Sequence, residues 1–198
     1  MDSDFDLLDR WRAGDRPAGE ALLARHFDAL CGFFESKVGD DADDLVQRTM
    51  LACVAAKDRF RKEASFRTYL YTVARHELYH HLRRRQRDGQ RLDFSVSSIA
   101  EILTTPGSKL VKRAERQRVV EALRQLPVEQ QVLLELYYWQ ELDIAALCEV
   151  LDVEIGTARV RLHRARARLR AVLEADGAGQ AIESLGGSDA DDKLARDR

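Results

Sequence analysis

Residues 142–173 constrain the fold more than any other stretch of the chain. Ile144, Leu147, Cys148 and Leu151 recur at spacings of three and four, and Asp152–Glu154 interrupt them. A second periodic run follows through Ile155, Ala158, Leu162, Ala165, Leu169 and Val172. Apolar residues at that spacing mark one face of a helix. Two helices joined by a tight turn, the second longer and basic, form a helix-turn-helix. The second helix carries Arg159, Arg161, Arg164, Arg166, Arg168 and Arg170 with His163 among them, and no acid before Glu174. Such a row repels itself unless something anionic meets it. The amino-terminal half, with Thr157, Arg159, Arg161, His163 and Arg164, is placed to meet base edges. Arg166, Arg168 and Arg170 suit phosphates. The competing reading is a solvated arginine-rich face that binds nothing.

Composition agrees with helices. Charged residues make up 33% of the 198, aromatics only 7%, and three prolines interrupt the chain, a balance that favours helices with solvated outer faces. The predicted fold class is all-α: two small helical domains joined by a flexible linker, the second a helix-turn-helix. The net charge of −2 hides an asymmetry. Acids crowd residues 1–44, whereas arginines crowd 83–91 and 159–170, which points to separate surfaces for separate partners. Cys31, Cys53 and Cys148 are odd in number and far apart. That spacing disfavours a zinc knuckle or a disulfide framework and fits a reducing cytoplasm. No apolar run is long enough to span a membrane, so no membrane insertion is expected.

The expected organisation has a first unit over 1–87, a linker over 88–112, a second unit over 113–174 and an acidic, glycine-bearing tail over 175–198 that reads as disordered. In the first unit, helices are predicted near Phe5–Trp11 and over 18–37, the latter burying Leu22, Leu23, Phe27, Leu30 and Phe34. A third helix carries Leu45, Val46, Met50, Cys53 and Val54 on one face. A fourth is capped by Ser65, with Phe66, Leu70, Val73, Ala74, Leu78 and Leu82 in line. In the second unit, helices are predicted over 113–125, 128–139, 143–151 and 155–173.

The fourth helix has a second face of Tyr69, Thr72, His76, Tyr79, His80 and Arg83, which runs into Arg84 and Arg85. Rings among cations suit single-stranded nucleic acid, where bases stack and cations follow phosphates. Aromatics serving only the core are the plain alternative. The same helix contains His76-Glu77-Leu78-Tyr79-His80, the HExxH pattern of zinc proteases. A catalytic zinc needs a third ligand. His81 faces elsewhere and His163 lies in the other unit, so no metal, cofactor or catalytic residue is expected.

Taken together, these segments resemble the extracytoplasmic-function (ECF) group of sigma-70 factors. Asp43-Asp44-Leu45-Val46-Gln47 resembles region 2.2. Phe60 to Tyr71 with Ala74-Arg75 resembles regions 2.3 and 2.4. Leu126-Pro127 through Tyr137, Gly156-Thr157 and Arg161 to Arg166 resemble region 4. The resemblance implies that Asp43, Asp44, Leu45 and Gln47 dock on the beta-prime clamp helices of core RNA polymerase, and that region 4 meets the beta flap. It further implies that Ser65, Phe66, Tyr69, Arg75, His76, Tyr79, His80, Arg83 and Arg84 melt and read the −10 element of promoter DNA. Thr157, Arg159, Arg161, His163 and Arg164 would read the −35 element. An anti-sigma factor is an expected regulator, and the factor would do no covalent chemistry. Arg48, Met50, His76, His80 and Val160 depart from the usual family residues. A helix-turn-helix regulator that acts without polymerase is the alternative of a different class.

Overall fold

The computed structural model describes residues 2–88 and 118–175. These are helical throughout apart from short turns, with no strand among them, so the all-α expectation holds. Residues 89–112 of the expected linker and the tail beyond residue 175 lie outside the described residues, as does the start of the helix expected over 113–125.

Helix α1 (Asp4–Arg12) begins at Ser3, whose hydroxyl accepts from the Asp6 amide while the Asp6 carboxylate accepts from the Ser3 amide. That reciprocal box satisfies two otherwise unpaired donors. Gly14 turns the chain at φ 101°, and α2 (Arg16–Val38) follows, capped by Asp15 with Pro17 in its first turn. A single 3-10 turn, Gly39–Asp41, leads into α3 (Ala42–Ala56). Helix α4 (Phe66–Arg87) starts at the predicted cap, Ser65, whose side chain accepts from the Thr68 amide. The helices pack in sequence, α1 on α2, α2 on α3, α3 on α4, around Leu8, Leu22, Leu30, Phe33, Leu45, Leu70 and Leu78, all fully buried.

In the second unit, residues 118–124 are helical. Then come α5 (Val128–Tyr138), α6 (Ile144–Leu151) and α7 (Ile155–Ala175). Asp143 caps α6. Asp152 ends it in the left-handed conformation, φ 54° and ψ 57°, which a short polar side chain tolerates better than most. Leu134, Leu136, Leu147, Ala158, Leu162 and Ala165 are fully buried between these helices.

Three apolar residues depart from the predicted faces. Phe27, Val54 and Ile155 are 47%, 39% and 51% exposed. Each sits at the edge of its helix's apolar stripe, where periodicity allows burial but no neighbouring element arrives to cover it.

The two units share one continuous apolar core. α4 packs along α6. Arg67 donates to the backbone oxygen of Gln140 at 2.9 Å and Arg75 to that of Val150 at 3.3 Å. At the centre of the seam, Lys37 of α2 bonds Glu135 of α5.

Candidate nucleic-acid interface

Helix α7 shows why a strict repeat of small and branched apolar residues leaves its other side free. Ala158, Leu162, Ala165, Leu169 and Leu173 are buried. Thr157, Arg161, His163, Arg164, Arg168 and Arg170 are exposed, and Val160 is 49% exposed. Gly156 has open space where a Cβ would stand, so the first turn of α7 is unobstructed. Arg159 is half-buried beside this turn. Arg166 differs from its sequence-based assignment to phosphate. Its guanidinium lies 5.1 Å and 5.4 Å from the ring centres of Tyr137 and Tyr138, because the helical turn that buries Ala165 also rotates its neighbour toward α5. The exposed surface of the amino-terminal half thus presents Arg161, His163 and Arg164 as cations or donors around an apolar Val160.

The second face lies on α4. His76, His80, Arg83 and Arg84 are exposed, whereas Tyr69, Arg75 and Tyr79 are half-buried. Tyr69 joins an aromatic cluster, its ring 5.0 Å from that of Phe60 and 6.5 Å from that of Phe66. The Arg75 guanidinium lies 5.0 Å from the centre of the Tyr79 ring. Burial raises the Tyr79 pKa above its ordinary value. Glu129 adds to the rise, and the charges of Arg75 and Arg161 oppose it. Ser65 is committed to capping α4, so its hydroxyl is already in use.

Two residues of the expected site are buried. Leu45 is fully buried and Phe66 is 2% exposed. In the segments that carry the resemblance, helical rotation turns these apolar residues inward, so they position the surface without forming it. Asp43, Asp44 and Gln47 are exposed on α3, and Arg48 bridges Asp44 at 2.7 Å. The same side of α3 continues through Leu51, 59% exposed, and Val54, so that Asp44, Gln47, Leu51 and Val54 follow one another in steps of three and four. Sequence reading missed Leu51. That spacing carries its signal, but Val54 in the same series reads as a core position from its apolar neighbours.

His76 and His80 are both exposed, with His76 Nδ1 4.0 Å from Glu77. Among the described residues, no three histidines, cysteines or carboxylates converge as metal ligands, and no helix is long and apolar enough to cross a membrane.

A short helix, a tight turn and a longer arginine-faced helix, combined with a separate helix of rings and cations, define a two-unit helical protein with two basic faces of the kind that meet nucleic acid. Residues 22–88 match the Sigma-70 region 2 family and residues 116–169 match Sigma-70, region 4. The chain belongs to the ECF group of RNA polymerase sigma factors, which direct promoter-specific initiation. It is 31% identical over 180 residues to the ECF RNA polymerase sigma factor SigM of Mycobacterium tuberculosis, covering 86% of this chain and 85% of that one. It is 32% identical over 142 residues to EcfG of Rhodopseudomonas palustris, covering 70% and 75%. Among solved structures it is similar to the sigma factor RpoE of Bartonella quintana, crystallised with the anti-sigma factor NepR. That likeness has a TM-score of 0.64 and 28% identity, covering 79% of this chain and 97% of that one. It is also similar to CnrH in complex with the cytosolic domain of CnrY, with a TM-score of 0.65 and 25% identity, covering 88% and 99%. This family is not a class of enzymes.

Proposed function

We propose that the chain binds core RNA polymerase through α3, reads the −35 element as duplex with α7, and reads the −10 element as single strand with α4. The observation that carries this reading is the pairing, on one chain, of an arginine-faced helix after a tight turn with a ring-and-cation face on a different helix. Arg161, His163 and Arg164, with Thr157 and Arg159 beside them, contact major-groove base edges and flanking phosphates. A well-placed arginine distinguishes guanine through O6 and N7. On α4, Tyr69 and Tyr79 stack on unpaired bases, while Arg75, His76, His80, Arg83 and Arg84 follow the strand. Asp43, Asp44, Gln47, Leu51 and Val54 dock on the polymerase clamp, the apolar pair supplying the contact that charges alone do not.

In this reading the working divisions are 1–87 for polymerase docking and −10 reading, 88–112 as linker, 113–174 for −35 reading, and 175–198 as a solubilising tail. The factor acts in the cytoplasm, uses no metal or cofactor, and does no covalent chemistry itself. A regulatory protein of the anti-sigma kind is a further partner, a proposal supported by the complexes in which its structural relatives were solved.

Run-off transcription with core polymerase on a randomised promoter library tests the reading. Enrichment of two conserved blocks at fixed spacing supports it. Tight binding to promoter duplex without polymerase, and no transcription with it, would contradict it in favour of an ordinary helix-turn-helix regulator.

A further inference from the structure

The exposed arginines of α7 suit guanines and phosphates, but none of them occupies the outermost point of its amino-terminal half. Ala158, Leu162, Ala165 and Leu169 are buried and define the inner side of the helix. At about 100° per residue, the position directly opposite their mean direction is that of Val160. Val160 is 49% exposed. Thr157, three residues back, and His163 and Arg164, three and four residues on, border it, and all three are exposed. Gly156, one turn earlier, has open space where a Cβ would stand. The outermost point of the reading half is therefore a branched apolar side chain, flanked by polar and cationic ones.

A single exposed apolar residue is ordinary on a protein surface. Position sets this one apart. Ile155, the other large apolar side chain exposed in the described part of the second unit, starts α7 and stands about 140° round the helix from Val160. Valine is also a weaker helix former than alanine or arginine, so α7 itself gains nothing from it at an exposed site. What it offers is a contact. In the major groove the bases present polar atoms, and thymine alone adds a methyl group. An isopropyl group pressed on a polar edge strips it of water and returns no hydrogen bond. Pressed on a methyl group, it buries apolar surface on both sides.

We infer that Val160 is a specificity residue of the −35 contact and reads the methyl group of one thymine, while the cations around it grip guanines and phosphates. This rests on the proposed role of α7. A hydroxyl at the same place could donate to or accept from the edge of several bases. The apolar side chain narrows that choice to the one base that carries a methyl group.

The test uses the full chain with core polymerase on the −35 block that a randomised promoter library yields. Each thymine of that block, on either strand, is replaced singly by deoxyuridine, which lacks the methyl group but keeps O4 and base pairing. Promoter-complex formation is measured by gel shift for the wild type, Val160→Ala and Arg168→Ala. Both substituted positions are exposed, and alanine favours the helix over valine, so the variants fold. One deoxyuridine should weaken wild-type binding about fourfold, the effect of withdrawing one methyl group from apolar contact. The same replacement should be neutral for Val160→Ala. Arg168→Ala, which removes a cation suited to phosphate, should bind every promoter more weakly yet keep the fourfold step. A −35 block without thymine, deoxyuridine that is neutral throughout in the wild type, or a step that persists in Val160→Ala would overturn the role of Val160 and leave the −35 reading standing. Absence of any −35 block would overturn the reading by α7 itself, and the role of Val160 with it.

Discussion

The ammonium of Lys37 on α2 and the carboxylate of Glu135 on α5 meet inside the protein across 98 residues of sequence. Neither residue belongs to a surface proposed to read DNA. Each proposed reader is built by local helical periodicity, while this pair joins α2 to α5 between the two units.

Leu51 should be a polymerase contact without being a structural residue. It is 59% exposed, so Leu51→Glu changes stability by no more than about 0.5 kcal/mol. The same change places a charge in the centre of the proposed docking face. Affinity for core polymerase, measured by fluorescence anisotropy, should fall about tenfold or more. Unchanged affinity would remove Leu51 from that face.

Arg164 and Arg166 lie two positions apart and should behave differently. Arg164→Ala leaves the urea midpoint unchanged and reduces discrimination at the −35 element by about 1–3 kcal/mol. Arg166→Ala removes the cation from the Tyr137 and Tyr138 rings. It should lower stability by about 1 kcal/mol and leave base preference intact. A match between the two variants in both assays would contradict this division.

Gly19 admits the Trp11 indole onto α2. A Cβ there would stand 2.5 Å from Trp11 Cδ1 and Nε1. Alanine gains up to about 1 kcal/mol in helix propensity, but displacing a packed ring costs about 1–3 kcal/mol. Gly19→Ala should therefore be net destabilising in urea and should shift tryptophan emission. A stabilised variant with unchanged emission would show that the ring moves aside freely.

His26 predicts the direction of pH dependence. Its Nε2 meets Asp4 at 2.8 Å, and burial nevertheless holds its pKa below the ordinary 6.5. Below 6.5 the unfolded chain takes up a proton that the folded chain resists, so stability rises with pH in that window and is lost on acidification. Burial shifts His81 in the same direction. The urea midpoint should fall between about pH 7.5 and pH 5.5, and His26→Gln should flatten the slope. An unchanged slope would mean that His26 carries none of it.

The sequence made some features legible and left others hidden, for physical reasons. The Ser65 cap, the turn at Asp152 and the buried line from Ala158 to Leu169 are local features, determined by hydrogen bonds and spacing within a few residues. The apolar periodicity already turns Leu45 and Phe66 inward, as the fold does, whereas the matching segments alone name residues without saying which way each one faces. Phe27 and Ile155 were placed inside because a helical stripe shows which face is apolar, not how far its neighbour extends. Lys37 and Glu135 carried no signal at all: a lone lysine and a lone glutamate look like solvated surface until the fold brings them together.

Site-specific cross-linking in the holoenzyme tests the central claim most directly. A photoreactive residue at Tyr69 on α4 and, separately, at Arg164 on α7 would be activated on one promoter whose start site is known. The account predicts that Tyr69 cross-links to unpaired DNA of the −10 element and Arg164 to duplex at the −35 element. Cross-links from both positions to the same element, or from neither to DNA, would contradict it.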